Sequence, residues 1–151
     1  NAERIESWVN EAVTAGAKIV SGGKRDAAYY APTILTDVDP KLSVACNEAF
    51  GPILVVDSYT DFQDAVERVN DSDFGLQAGV FTNQMDKTLK AFNQLEVGGV
   101  VINDVPTFRV DNMPYGGVKD SGFGREGIKY SLQEMTEIKL LVYNHLMEDQ
   151  R

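Results

Sequence analysis

A single cysteine and a single histidine occur in the 151 residues. One cysteine excludes an internal disulfide, which suits a reducing compartment and makes a cytoplasmic location the expectation. The one histidine, His145, falls in a polar tail, so neither a Ser/His/Asp triad nor a histidine-rich metal site is expected and no metal is predicted. Cations are scarce too: 14 Lys and Arg against 23 Asp and Glu give a net charge of −9 and a pI near 4.5. Phosphate binding is driven by clustered Lys and Arg, so a nucleic-acid partner is not expected. No apolar run approaches the roughly 18 residues that span a bilayer, which argues against a membrane role. An initiator methionine and a signal segment are also lacking. The chain opens directly into helical periodicity, with Ile5, Trp8, Val9, Ala12 and Val13 on one face. Such a start predicts a piece of a longer protein, with Asn1 and Ala2 a candidate cloning scar.

What is present has the length and composition of one globular domain. "GAKIVSGG" reads as a short strand between turns, and "APTILTDVD" as an extended piece bracketed by prolines. "GPILVVDSY" is a continuous apolar run flanked by breakers, which predicts a strand buried on both faces. In "TDFQDAVERVNDS", Thr60 and Gln63 have capping-box spacing ahead of an apolar stripe at Phe62, Ala65, Val66 and Val69. A strand "LQAGVFTN", a helix "QMDKTLKAFNQLE" with Met85, Leu89, Phe92 and Leu95 inward, and a strand "GGVVIND" repeat the alternation. The expected fold class is therefore α/β, a mainly parallel sheet with helices on both faces. Residues 104–124 form a Gly-rich loop too long for a simple connector. A helix from about Arg125 to Met135 and a strand "EIKLLVYN" close the chain.

Three features invite chemistry. "GFGREG" satisfies G-x-G-x-x-G with Gly122, Gly124 and Gly127, but a loop precedes it where the dinucleotide fingerprint requires a strand, so the glycines are read as loop geometry. Cys46 has an anion, Glu48, rather than a cation two residues away, and a neighbouring carboxylate raises a thiol pKa. Glu48 sits just before a Phe-Gly-Pro turn at the edge of the predicted sheet. Its carboxylate could accept hydrogen bonds from both hydroxyls of a sugar while Phe50 offers an apolar face to a flat ring. Equally, Glu48 could cap a turn and Phe50 belong to the core, and spacing alone leaves both open.

Several stretches taken together resemble the carboxy-terminal part of an NAD(P)-dependent aldehyde dehydrogenase. "NEAFGPILVV" is similar to that family's Glu-x-Phe-Gly-Pro segment, and "SDFGLQAGVFTN" to its Gly-Leu-x-Ala-x-Val-Phe-Thr strand entry. "VGGVVIND" is similar to its Gly-x-Val-x-x-Asn strand, "MPYGGVKDSGFGREG" to its Pro-Phe-Gly-Gly loop, and "EMTEIKLLVY" to its terminal strand. Order and spacing agree from about Glu3 to Tyr143.

The resemblance implies a fold of the family's catalytic-domain type, with residues 1–136 the carboxy-terminal portion of that domain, 137–144 an oligomerisation strand and 145–151 a polar tail. It implies that Glu48 binds the nicotinamide ribose and Phe50 packs near the nicotinamide, with NAD or NADP as cofactor. Tyr115 would wall the substrate tunnel, where the family more often has Phe. Arg109 is the cation of that loop able to pair with a carboxylate or phosphate, or else to bridge to Asp111 or a neighbouring subunit. The implied substrate is a small aldehyde, hydroxylated or anionic, and the implied assembly a homo-oligomer through the terminal strand. The family's nucleophile lies in a Gly-Gln-x-Cys context that residues 1–151 lack. No catalytic residue is expected here, Cys46 is expected to be structural, and the isolated chain is expected to be inactive. A different class of function, a stand-alone assembly module without enzymatic activity, is the alternative.

Overall fold

The computed structural model describes residues 1–144; His145 and the expected polar tail lie outside them. The elements are α1 (Ala2–Thr14), β1 (Lys18–Ser21), β2 (Arg25–Asp26), β3 (Tyr29–Tyr30), β4 (Thr33–Thr36), α2 (Ser43–Cys46), β5 (Ile53–Val55), α3 (Phe62–Asn70), β6 (Phe74–Gly75), β7 (Gln77–Val80), α4 (Met85–Gln94), β8 (Gly99–Ile102), β9 (Val118–Lys119) and α5 (Ile128–Glu134). Two compact units form. One comprises Asn1–Asp73 with Asn83–Glu96, the other Phe74–Thr82 with Val97 onward.

The first unit is organised by α1. Ile5, Val9 and Ala12 recur at i, i+4 and i+7, so they share one face, and all three are buried. That face packs in one cluster with Leu35 of β4, which is 0% exposed, and with Ala17, Tyr30 and Val44. Val13, expected on the same face, is exposed. Strand β4 is central in a sheet of order β1-β4-β5. It pairs antiparallel with β1 and parallel with β5, with Leu35 opposite Val55.

The expectation of a mainly parallel sheet needs correcting. Two pairings are parallel, β4–β5 and β7–β8, and three are antiparallel, in four small sheets. Connection length decides between them. A parallel neighbour needs a crossover, supplied here by the α2 segment and by α4, whereas β1 returns to β4 after only the small β2–β3 hairpin. The run "GPILVV", expected to be buried on both faces, forms the edge strand β5, and Leu54 remains 57% exposed. Among the described residues no strand pairs with its outer edge.

Helix α3 starts one residue later than the Thr60 capping box predicts. The Asp61 carboxylate accepts from the Gln63 amide at 2.7 Å and is the N-cap. Of the α4 residues expected inward, Leu95, at the C-cap, is buried as expected, but Met85, Leu89 and Phe92 are exposed, Phe92 by 71%, and Ala91 is the buried residue within the helix. Helix α4 contacts α3, and its larger apolar residues stay uncovered among the described residues.

In the second unit β7 and β8 pair in parallel from Gln77–Gly99 to Val80–Ile102, and β6 pairs antiparallel with β9. Helix α5 begins at Ile128 rather than Arg125. Residues 137–144, expected as a strand, belong to no strand of the chain, and Ile138 and Leu140 to Tyr143 are exposed. A strand is defined by its ladder to a neighbouring strand, and no strand pairing among the described residues includes that segment.

Tyr30 makes the core sensitive to alkali. Burial raises its phenol above the ordinary range; a hydrogen bond to Thr33 pulls the other way, and the Glu6 charge adds to the rise. Below pH about 10 folded and unfolded chains both keep the proton. Above that the unfolded chain ionises freely while the folded chain resists, so stability present below pH 10 is lost as pH climbs through the raised value. Urea unfolding followed by Trp8 fluorescence at pH 8 and pH 11 should show a smaller loss for Tyr30→Phe than for the unsubstituted chain. Identical losses would remove Tyr30 from the account.

Candidate functional site

Residues 47–52 join α2 to β5 and carry Glu48 and Phe50. The helix stops at Cys46 because Asn47 turns to extended backbone at φ −110°, ψ 156°. Phe50 then adopts φ +44°, a left-handed conformation that a bulky residue rarely accepts. Its ring is not in the core; Phe50 is 73% exposed. Glu48 is exposed as well, and its carboxylate makes no hydrogen bond or ion pair with any described residue. Both carboxylate oxygens are thus open as acceptors beside an uncovered aromatic face. That pair of acceptors fits a ribose diol, whose hydroxyls donate, next to a flat heterocycle.

The loop is held from one side by the first turn of α1. Arg4 Nη2 donates to the Ala49 carbonyl at 2.6 Å and to Asn1 Oδ1 at 2.8 Å, and Asn1 Nδ2 donates to the Phe50 carbonyl at 3.0 Å. Gly51 lies against Ile5, where an added Cβ would come within 2.7 Å of Ile5 Cδ1. Sequence reasoning missed Arg4 and dismissed Asn1, because both contacts span more than forty residues. Cys46 is exposed at the end of α2, with its Sγ 3.5 Å from the Lys41 carbonyl.

In the second unit the structure brings Tyr115 and Arg109 together. The Arg109 guanidinium lies 4.3 Å from the centre of the Tyr115 ring, and its Nη2 is 2.7 Å from Glu126 Oε2. Glu126, rather than Asp111, is therefore its acid. Tyr115 and Glu126 also exchange both backbone hydrogen bonds, 3.1 Å and 2.6 Å, as an isolated antiparallel bridge. Guanidinium, ring and carboxylate are fixed by one local arrangement. All three border solvent, so the ion pair adds at most about 1 kcal/mol. No other side-chain bond to Arg109 forms among the described residues, which leaves most of its N–H donors open.

Glycines and Arg125 shape this loop. A Cβ on Gly98 would overlap the Gly116 carbonyl, and one on Gly117 would overlap the Ser121 side chain. Arg125 Nη1 donates to the carbonyls of Gly117 and Gly124, at 2.9 and 2.6 Å, and Ser121 Oγ accepts from the Gly75 amide at 2.9 Å. A cavity of about 570 Å³ opens beside Tyr115, bordered by Leu76, Phe123, Arg125 and Glu126. At the carboxyl ends of the parallel pair, Asn103 Oδ1 accepts from the Thr82 amide at 2.8 Å. The run Gly122, Gly124, Gly127 takes positive φ throughout, as a loop rather than as a strand-to-helix turn. A separate cavity of about 580 Å³ in the first unit, lined largely by apolar groups such as Val38, Val55, Tyr59 and Val69, contains none of the residues expected from sequence to bind cofactor or substrate.

Comparison with known proteins gives one consistent answer. The profile of the Aldehyde dehydrogenase family matches residues 1–141. The chain is 53% identical over 143 residues to a 3-sulfolactaldehyde dehydrogenase of Priestia aryabhattai, covering 95% of this chain and 30% of that protein. Aldehyde dehydrogenase 21 of Physcomitrella patens, solved with its reaction product succinate, superposes with a TM-score of 0.91 at 46% identity, covering 94% of this chain and 30% of that one. A glyceraldehyde-3-phosphate dehydrogenase of Methanocaldococcus jannaschii, solved with NADP, gives 0.84 at 46% identity over 91% and 30%. A betaine aldehyde dehydrogenase of Staphylococcus aureus, solved with NAD+, gives 0.81 at 35% identity over 88% and 28%. The chain thus spans less than a third of the length of these relatives.

Because backbone atoms occupy the space beside Gly98, Gly98→Ala should cost about 1–3 kcal/mol. It should also speed amide hydrogen exchange at Tyr115 and Glu126, whose mutual bonds depend on that approach. Unchanged exchange at both would show that the contact does not hold the loop.

Proposed function

The chain belongs to the aldehyde dehydrogenase family, and from that premise we propose that it is the carboxy-terminal portion of a cytoplasmic enzyme that oxidises a small aldehyde to its carboxylic acid with NAD or NADP. The observation that carries this reading is the Glu-x-Phe-Gly-Pro loop. It presents an exposed, unpartnered carboxylate at Glu48 beside the uncovered ring of Phe50 on a backbone pinned by α1. The order of the sequence motifs supports the carboxy-terminal placement.

In this reading the reaction passes through a thioester on a cysteine that lies outside these 151 residues, and the isolated chain is inactive. The dinucleotide, when bound, supplies the acceptor for hydride. Glu48 accepts hydrogen bonds from the two ribose hydroxyls, and Phe50 presents an apolar face to the nicotinamide. Tyr115 forms part of the wall around the aldehyde and contributes a hydroxyl where a Phe would have none. Arg109, flat on that ring and tied to Glu126 by one nitrogen, turns its remaining donors to an anionic group of the substrate. The 3-sulfolactaldehyde and glyceraldehyde-3-phosphate named for relatives are anionic and hydroxylated, which favours that substrate class for this chain too. Residues 137–144 pair with a neighbouring subunit, which accounts for their exposed apolar side chains.

Two measurements on the complete enzyme test the assignment. Glu48→Gln should slow hydride transfer about tenfold in single-turnover experiments while leaving aldehyde binding nearly unchanged; an unaltered transfer rate would count decisively against a cofactor role. Arg109→Ala should raise KM for anionic aldehydes about tenfold or more and leave neutral ones such as propanal little affected. Equal losses on both would reduce Arg109 to the partner of Glu126. An upstream reading frame containing Gly-Gln-x-Cys is expected; a start codon near Glu3 would favour the stand-alone assembly module instead.

A further inference from the structure

The first turn of α1 has the wrong chemistry for a helix that only caps itself. Asn1 occupies the N-cap position and is a residue type that suits it, yet its side chain makes no capping bond. Its amide is committed to the Phe50 carbonyl and its oxygen to Arg4. Arg4 in turn is fixed by stacking on Trp8, 4.4 Å from the ring centre, and by its bond to the Ala49 carbonyl. With Ile5 against Gly51, three consecutive loop residues are held by three residues of one helical turn.

That density of contacts falls where the backbone is strained. A bulky residue at φ +44° costs on the order of 1–3 kcal/mol and persists only where its surroundings over-determine it. Accepting bonds at Ala49 and Phe50 fixes the carbonyls on either side of the Phe50 Cα, and with them the backbone from which the Glu48 and Phe50 side chains project. Neither Glu48 nor Phe50 has a side-chain anchor of its own, so their placement depends on the backbone that α1 holds.

We propose that Arg4, braced by Trp8 and Asn1, is a positioning residue that holds the Glu48–Phe50 loop in its dinucleotide-receiving conformation. This rests on the cofactor reading of Glu48 given above. The loop conformation is paid for by α1 rather than by the ligand, so the open carboxylate and ring need not be organised when the dinucleotide arrives.

The test uses the complete enzyme with Arg4→Ala, Arg4→Lys, Glu48→Gln and the double variant Arg4→Ala/Glu48→Gln. Arg4→Ala should weaken dinucleotide binding in calorimetry about tenfold, slow single-turnover hydride transfer by a similar factor and leave aldehyde KM unchanged. Amide exchange should accelerate over residues 48–51 but not over Glu6–Ala12 of α1. Arg4→Lys keeps the charge and should restore part of the affinity; should Arg4→Ala unfold, the same measurements on Arg4→Lys decide the question through an intermediate loss. The double variant should lose less than the product of the two single losses, because Arg4 acts in part through Glu48. Additive losses, or wild-type affinity and exchange in the Arg4 variants beside an impaired Glu48→Gln, overturn the inference. An unimpaired Glu48→Gln overturns instead the cofactor reading on which it stands.

Discussion

Burial of the Ile5, Val9 and Ala12 stripe of α1 against Leu35 is the contact from which the first unit is built. Leu35 is enclosed because β4 is the central strand, and β4 is central because one neighbour arrives by a hairpin route and the other by a crossover. The same helix that closes this core projects its first turn onto the Glu48–Phe50 loop. Packing and recognition are therefore coupled through a rigid rod. A shift of α1 in its groove moves the loop, and a strained residue transmits that movement without slack.

The second unit has no comparable interior. Every buried apolar side chain among the described residues, from Ile5 to Leu95, belongs to the first unit. Tyr115 and its neighbours are held instead by backbone pairing, by glycines that permit close approach, and by Arg125 bridging two carbonyls. Two-stranded pairings of this kind are marginal without a covering layer. The uncovered side chains of Phe81, Phe108, Phe123 and Ile128 supply the surface that such a layer would bury. The chain spans only 30% of its 3-sulfolactaldehyde dehydrogenase relative, and under the reading proposed above the rest of the enzyme would supply that cover.

Local patterns in the sequence translated well where the chain supplies its own partners. The helical period of α1, the strand–helix–strand passage through β7, α4 and β8, and the breakers around β5 all appear as structure. Patterns that presume an external surface did not. Leu54, Leu89 and Phe92 look like core residues from their spacing, yet they are exposed, with nothing among the described residues to cover them. The proximity of Arg109 and Tyr115 was suggested by their shared loop, but Glu126 as their clamp was not, since seventeen residues separate it from Arg109. Arg4 carried no signal at all: an arginine in a first helical turn reads as a solvated charge, and only tertiary structure shows its carbonyl partner.

The placement of the core in the chain has a consequence for biosynthesis. Its members run from Ile5 to Val44, with partly buried flanking residues reaching only to Ile53, so the cluster is complete as soon as that length has left the ribosome. The pairing of β6 with β9 spans Phe74 to Lys119 and must wait for a far longer stretch to emerge. Within this stretch, nascent chains should therefore acquire a protease-resistant kernel over residues 5–53 well before the loop around Tyr115 takes shape. The half of the molecule proposed to meet the aldehyde is the half that stays chaperone-accessible longest.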